Sequence, residues 1–426
     1  MPFALKHHRA GQVSLAVALL FWSILLLLPF SRLAGLPVLA LSLLGLWTLI
    51  QQKFAIWPDR RLRLFSLVFG CYWLPLLIAS IDAANAERSW TVALAAVRFF
   101  LVGYAVIVLI DERGKRLLFT LTAALVAFWS VDALIQAVVG VNLLGMPISP
   151  ERLNGIFGTT NIKLGPVLAA ASPVMLEYAR RRLPPWAFPT AFILSFATIL
   201  LIGTRAAWVM FAVVALAYLY LAARKHGKGI FKHLAYVGIL TGALVLVFYQ
   251  FSPAFQARAE RSLAVLSGDM QGLDEALAYR LPIWKTAVAV IEAHPVNGVG
   301  PRSFRYVYRD FAEPGDVWLG RKYGASHAHQ IILEVLSETG VVGLLGLVLA
   351  CVLGFGYWRK LRQAAVMRSL PYALALLAIL FPLNTHLAIY STFWSIVLWW
   401  FVIAFCCADA KPAEERPGSS SAGRHQ

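Results

Sequence analysis

Apolar residues in this chain run in long blocks broken by short polar segments, without the two-residue alternation expected of half-buried strands. Blocks near the ~20 residues needed to cross a ~30 Å hydrocarbon core recur throughout. A helix satisfies its own backbone groups inside lipid, so these blocks predict spanning helices. They lie near Gln12–Phe30, Ala34–Ile50, Leu62–Ser80, Trp90–Ile110, Leu117–Val139, Leu164–Ala179, Trp186–Gly203, Ala206–Ala223, Leu234–Phe251, Gly340–Trp358, Leu370–Leu383 and Tyr390–Cys407. The expected fold class is an all-α polytopic membrane protein with about twelve transmembrane helices. Met1–Phe30 has the basic start of a signal peptide, but its apolar run is longer than a usual h-region and no convincing small-residue cleavage site follows, so it is read as the first span.

The ninth and tenth spans are separated by a long polar stretch, Ser252–Ser326, in which Ile283, Ala287, Val290 and Ile291 recur at helical spacing. This spacing predicts an amphipathic helix over Leu281–Ala293, ended by His294-Pro295. The chain then divides into residues 1–251 with nine spans, a large outer loop over 252–328, an interfacial or re-entrant helix with the last three spans over 329–408, and a tail over 409–426. The tail, rich in Pro, Gly, Ser and charge, reads as disordered.

Composition agrees: 60% of residues are hydrophobic, 14% are charged and mean hydropathy is +0.71, which leaves too little polar surface for a soluble domain. The formal net charge of +17 is spread over separate loops rather than gathered in one stripe, which points away from nucleic acid. Alternate short loops carry most of the Lys and Arg, among them Arg60, Arg61, Arg113, Lys115, Arg116, Arg180, Arg181, Arg182, Arg359 and Arg368. The positive-inside rule makes these loops and both termini cytoplasmic and puts the large loop outside. Cys71, Cys351, Cys406 and Cys407 fall in apolar segments and suggest neither a disulfide framework nor a metal cluster.

Polar chemistry gathers on the outer side in four places. Glu151–Lys163 mixes glycines, amides and cations, suited to an anionic headgroup or to an ordinary connecting loop. Arg205 stands between two spans that leave almost no loop, so it either snorkels to the interface or meets an anion there. Arg280 opens the Leu281–Ala293 helix, where the helix dipole gains nothing from a cation. Gly298 and Gly300 read as turn glycines, since the spacing and strand context of a phosphate loop are missing.

The fourth place is Ser326–Gly343. With Ser326 as N-cap, His329 falls in the first helical turn, where the positive helix end keeps imidazole neutral, as a general base requires, and the free amides attract an anion. The alternative is a passive amphipathic histidine at the membrane interface. His327 falls on the preceding loop. Glu334 and Glu338, four residues apart, fit paired-carboxylate chemistry or the solvated face of an interfacial helix, and no Asp-x-Asp cluster for Mg²⁺ accompanies them. Within the spans, Arg98 and Asp132 are most simply a buried ion pair between neighbouring helices.

Taken together these residues resemble the O-antigen ligase and Wzy-type polymerase superfamily of bacterial inner-membrane glycan-assembly enzymes. The family's outer motif, His followed by Asn, Ser or Gln, then nine residues, Gly, two residues, and Gly, Thr or Tyr, is met by His329, Gln330, Gly340 and Gly343. Gln330 stands where Asn is more usual. Upstream, Arg280, Trp284, Pro295, Gly298, Gly300 and Phe304 follow the family pattern, as do Arg205 between two spans and Arg152, Gly155, Phe157 and Asn161.

The resemblance implies a GT-C-like fold and transfer of a finished glycan from undecaprenyl diphosphate to a sugar hydroxyl of lipid A–core, at the periplasmic face of the bacterial inner membrane. It implies His329 as base, Arg205 and Arg280 on the diphosphate, and Arg152, Asn161, Lys163, His327, Gln330 and Arg302 as further substrate-binding candidates. Transfer would invert the anomeric centre without metal or soluble cofactor, and the partners would be lipid-linked donor, lipid acceptor and membrane lipids. A Wzy-like polymerase or a protein O-oligosaccharyltransferase would share the donor chemistry. A glycolipid flippase would instead predict polar sites at the bilayer midplane and often an internal repeat.

Overall fold

The computed structural model describes residues 2–149, 153–159, 161, 163–226, 238, 242, 243, 245–247, 249, 250, 253–263, 266, 270–385 and 388–409. The described helices, numbered in chain order, begin with α1 (Pro2–Leu26), α2 (Gly35–Gln51), α3 (Arg60–Ser80), α4 (Ala86–Leu109), α5 (Glu112–Val139), α6 (Leu164–Arg182), α7 (Ala187–Ile202) and α8 (Arg205–His226). Four shorter helices follow: α9 (Pro253–Leu263), α10 (Met270–Ala276), α11 (Leu281–Ala293) and α12 (Phe304–Phe311). The chain closes with α13 (Ile331–Arg359), α14 (Gln363–Leu380) and α15 (Thr392–Cys407). Among the described residues seven helices are long and apolar enough to cross a membrane, and the protein is an all-α polytopic membrane protein. More than half of the span expected over Leu234–Phe251, the tail beyond Asp409 and Arg152 lie outside the described residues.

Apolar side chains face outward as well as inward. On α2, Leu36, Leu39, Leu43 and Trp47 are exposed while Val38, Leu41 and Leu49 are buried, a pattern that suits hydrocarbon on one face and helix packing on the other. The centre of the bundle is α6, packed against α5, α7, α8 and α14. Its run Leu164–Leu176 is wholly buried and carries the small residues Gly165, Ala169, Ala170, Ala171 and Ser172, which lets neighbouring backbones approach where no hydrophobic driving force between helices operates.

The two ends of the bundle differ. At one end Arg60 and Tyr357 meet the Asp409 carboxylate at 2.6 and 2.7 Å, Lys115 donates to the Asp409 carbonyl at 2.6 Å and Arg368 to the Ala408 carbonyl at 3.0 Å. The starts of α3, α5 and α14 and the ends of α13 and α15 therefore meet there. His329 precedes α13 and belongs to the other end.

At that other end α13 is interrupted. Gly340 adopts φ 63°, ψ −162°, which stops the helical hydrogen-bond ladder and frees groups on both sides of the break. The 295–300 turn takes up those groups. Val299 and Gly300 N–H donate to the Ser337 and Glu338 carbonyls at 2.9 and 3.0 Å, and Val341 and Val342 N–H donate to the Pro295 and Val296 carbonyls at 2.9 and 3.1 Å. The contact is backbone on backbone, so side chains are excluded: a Cβ at Gly298 would stand 2.5 Å from the Glu338 carbonyl carbon, and one at Gly340 would overlap the Val296 carbonyl. The same turn reaches the α3–α4 corner through Ala84 N–H to the Val299 carbonyl at 3.0 Å and Asn297 to Asp82 at 2.6 Å.

One expected ion pair is absent. Arg98 lies over the Phe99 ring at 4.8 Å, and Asp132 accepts the Leu143 N–H at 2.9 Å, so each residue is met by its own neighbours and not by the other.

Gly340→Ala forces a side chain into a left-handed position that by itself costs roughly 1–3 kcal/mol, before the overlap with Val296 is counted. The full chain purified in detergent should melt at a clearly lower temperature with Gly340→Ala, and at an unchanged temperature with Gly354→Ala, where the same helix has open space. Equal melting temperatures for the two variants would refute the backbone exchange as a stabilising contact.

Candidate active site

His329 is not in the first turn of α13. The helix starts at Ile331, and its N-cap is Gln330, whose side-chain oxygen accepts the Leu333 N–H at 2.6 Å. Ser326 instead approaches His327 Nδ1 at 2.9 Å. The amide end of Gln330 donates to the Pro382 carbonyl at 2.7 Å, and Ile331 N–H donates to the Asn384 carbonyl at 3.2 Å. The residue after the histidine thus caps the helix and ties its start to the α14–α15 loop. His329 is left just before the cap at φ 53°, a conformation that few non-glycine residues adopt.

Left-handed non-glycine residues recur around this place: Ala278 and Tyr279 beside Arg280, Arg302, and His329. Their recurrence suits a site whose shape is imposed by its surroundings. The His329 ring stands 3.7 Å from that of His327 and 6.4 Å from that of Trp318, centroid to centroid. Trp318 donates its indole N–H to the Tyr279 carbonyl at 2.6 Å, next to Arg280, and carries the Arg321 guanidinium over its ring at 4.3 Å. Nδ1 of His329 is buried without a hydrogen-bond partner.

Charge at this position is set by burial and, after it, by arginines. Burial first, and then Arg280, Arg321 and Arg302, pull the His329 pKa down to about 3. The imidazole is neutral, as expected, but for a different reason: it lies outside the helix, and guanidinium groups replace the helix end as the source of positive potential. Arg280 is fixed by a hydrogen bond to Thr385 Oγ1 at 3.0 Å. Arg205, the first residue of α8, donates to the Glu275 carbonyl at 3.2 Å on the segment that leads into Arg280. The two cations expected to act together are therefore joined through residues 275–280.

Glu334 and Glu338 are not a solvated face. Both are fully buried. Glu338 accepts the Arg302 backbone N–H at 2.6 Å, and the Arg302 guanidinium stands 4.0 Å from Glu334. One turn of α13 thereby positions Arg302, and with it the charge that faces His329.

The remaining candidates are placed apart from this group. Asn161 donates to the Pro29 carbonyl at 3.4 Å, and Lys163 lies over the Phe393 ring at 4.3 Å, in the first turn of α15. Lys163 reaches the helix whose preceding loop holds Arg280, whereas Asn161 faces the 3₁₀ turn after α1. Trp318, Arg321, Asn384 and Thr385 were not anticipated from sequence. A trace of the first pair is legible in the Trp-x-x-Arg spacing, while Asn384 and Thr385 carry no local signal. Among the described residues no group of three His, Cys, Asp or Glu side chains could hold a metal ion.

Residues 190–348 match the family model described as O-Antigen ligase. This segment makes the chain similar to the O-antigen ligase superfamily. The match runs from α7 through the break at Gly340 and takes in Arg205, Arg280, Arg302, His327, His329 and Gln330; Asn161 and Lys163 precede it. The match supports a ligase- or polymerase-type glycosyltransferase activity and a membrane setting with lipid-linked glycans. No curated protein matches the chain.

If Gln330 acts as cap and tie, Gln330→Ala should lower the melting temperature by the equivalent of about 1 kcal/mol for the lost cap. Gln330→Asn keeps a capping oxygen and should recover most of that loss. Equal melting of Gln330→Ala and the unaltered protein would remove this role.

Proposed function

We propose that this protein is an O-antigen ligase that transfers a glycan from undecaprenyl diphosphate to a sugar hydroxyl of lipid A–core at the periplasmic face of the inner membrane. The observation that carries the reading is an uncharged histidine among Arg280, Arg302 and Arg321, with Arg205 tied to the same segment. The donor brings its own leaving group, so the protein's task is to meet the negative charge that grows on the diphosphate. Arg205 and Arg280 fork onto phosphate oxygens, and fixed cations at developing charge are among the larger catalytic effects.

His329 accepts the proton of the acceptor hydroxyl as that oxygen attacks the anomeric carbon and the bond to phosphate breaks, a contribution of roughly 10²–10⁴-fold. In-line attack inverts the anomeric centre. In the free protein three arginines oppose protonation of this imidazole; the bound diphosphate offsets them, so the base gains proton affinity when donor is present. Arg302, held by Glu334 and Glu338, belongs to the same charge balance, as do His327 against the imidazole and Gln330 behind it. Lys163 and Asn161, with Arg152, serve the more distant parts of the substrate.

An apolar cavity of about 530 Å³ beside the start of α8, lined by Leu200, Trp208, Leu246, Tyr249, Phe255 and Leu263, suits part of a polyprenyl tail. The gathering of basic loops around Asp409, at the end away from His329, supports a cytoplasmic assignment for that end and an outer one for the site. The helices α9–α12 cap the site and receive the acceptor.

Reconstitution with defined lipid-linked donor and defined lipid acceptor tests the reading. His329→Ala should abolish transfer with membrane insertion intact, and retained transfer would remove the base. Arg205→Ala and Arg280→Ala should weaken use of the donor; unchanged donor kinetics would contradict their role. Chelator should have no effect, and turnover lost to EDTA and restored by Mg²⁺ would refute a reaction run by arginines alone. Product analysis separates lipid A–core from a second lipid-linked glycan or a protein hydroxyl as acceptor.

The pH profile has a definite sign. Because the His329 pKa is lowered to about 3 in the free protein, kcat/KM should show no acid limb from this group between about pH 5 and 8, whereas the limb in kcat, which reports the donor-bound state, should lie higher. An acid limb of kcat/KM near the ordinary histidine value would overturn the charge arrangement.

A further inference from the structure

A cavity of about 120 Å³ opens at the basic end of the bundle, at the junction of α5, α6, α14 and α15. Its cations come from three helices: Lys115, Arg116, Arg181, Arg182 and Arg368. Its apolar walls are Leu118, Phe119, Tyr372, Ala404 and Cys407. None of these residues takes part in the chemistry around His329, which lies beyond the opposite ends of the same helices.

The charge here is only partly answered by the protein. Lys115 meets Glu112 at 2.8 Å, and Arg181 pairs with the buried Glu177. Arg116 and Arg182 have no carboxylate partner among the described residues, and Arg368 spends its Nε on the Ala408 carbonyl at 3.0 Å. Nε of Arg181 is buried and has no hydrogen-bond partner. Cations directed at one cavity repel each other unless an anion joins them, and topology alone does not require four arginines to share a lined recess.

The volume equals that of about four waters at ~30 Å³ each, enough for a phosphate group. The walls decide between two sources of phosphate. A free anion would gain nothing from Leu118, Phe119 and Tyr372, whereas a phosphodiester carried on acyl chains places its charge at the cationic rim and its glycerol and first methylenes along the apolar wall. Basic pockets between helices on the cytoplasmic side of membrane proteins are suited to such headgroups. We propose that this cavity binds the phosphodiester headgroup of an anionic membrane phospholipid, on the side of the bilayer opposite the candidate active site.

The test is native mass spectrometry of the full chain in detergent, titrated separately with phosphatidylglycerol, phosphatidylcholine and inorganic phosphate. Phosphatidylglycerol should be retained over phosphatidylcholine, and the double variant Arg116→Gln with Arg182→Gln should weaken that retention by roughly tenfold or more. The charge-keeping pair Arg116→Lys with Arg182→Lys should retain it, which separates loss of charge from loss of fold. Arg113→Gln with Lys360→Gln, two exposed cations at the same end that do not line the cavity, should leave retention unchanged. Equal retention of phosphatidylcholine, equal loss in the Arg113 and Lys360 pair, or displacement of the lipid by equimolar inorganic phosphate would each overturn the proposal.

Discussion

The exchange of backbone hydrogen bonds across Gly340 is the constraint on which the outer end of this protein depends. A membrane helix that breaks must find partners for the N–H and C=O groups it releases, because hydrocarbon offers none. Here the partners are the peptide groups of residues 295–300, and the fit requires glycine at both 298 and 340. The glycines that looked like turn residues are thus half of a joint. Once that joint is made, Arg302 falls against Glu338, and the upper turn of α13 is fixed relative to the α3–α4 corner.

Electrostatics follows from this geometry. Glu338 accepts the Arg302 backbone N–H and Glu334 stands 4.0 Å from its guanidinium, and Arg302 in turn adds to the positive potential around His329. The site is therefore incomplete as a charge arrangement in the free protein: a neutral imidazole sits among guanidinium groups that suit a diphosphate. In the function we propose, donor binding and base activation become one electrostatic event, with the phosphate-bearing substrate supplying the charge that lets the histidine take a proton.

A cationic recess, which we propose takes phosphate, appears at each end, with different walls. Around His329 the cations are accompanied by rings and a strained backbone, features suited to chemistry. Between α5, α6, α14 and α15 they are accompanied by aliphatic and aromatic walls, features suited to holding a lipid. Charge by itself does not separate the two; the neighbouring surface does.

Much of the architecture was legible in the chain itself, because the hydrocarbon core imposes length and composition on every span and because Leu281–Ala293 carries helical spacing strong enough to predict its own bounds. His329, Arg205 and Arg280 were legible as a motif. The cap at Gln330, the burial of Glu334 and Glu338, the separation of Arg98 from Asp132, and the roles of Trp318, Arg321, Asn384 and Thr385 were not. Spacing along a helix says which residues share a face, but whether that face meets water, lipid or an arginine depends on segments brought in from far away in the chain. Sequence determined the membrane class and the residue types available for phosphate and proton; tertiary structure alone decided which cations surround the histidine, because the potential at a point is a sum over neighbours in space.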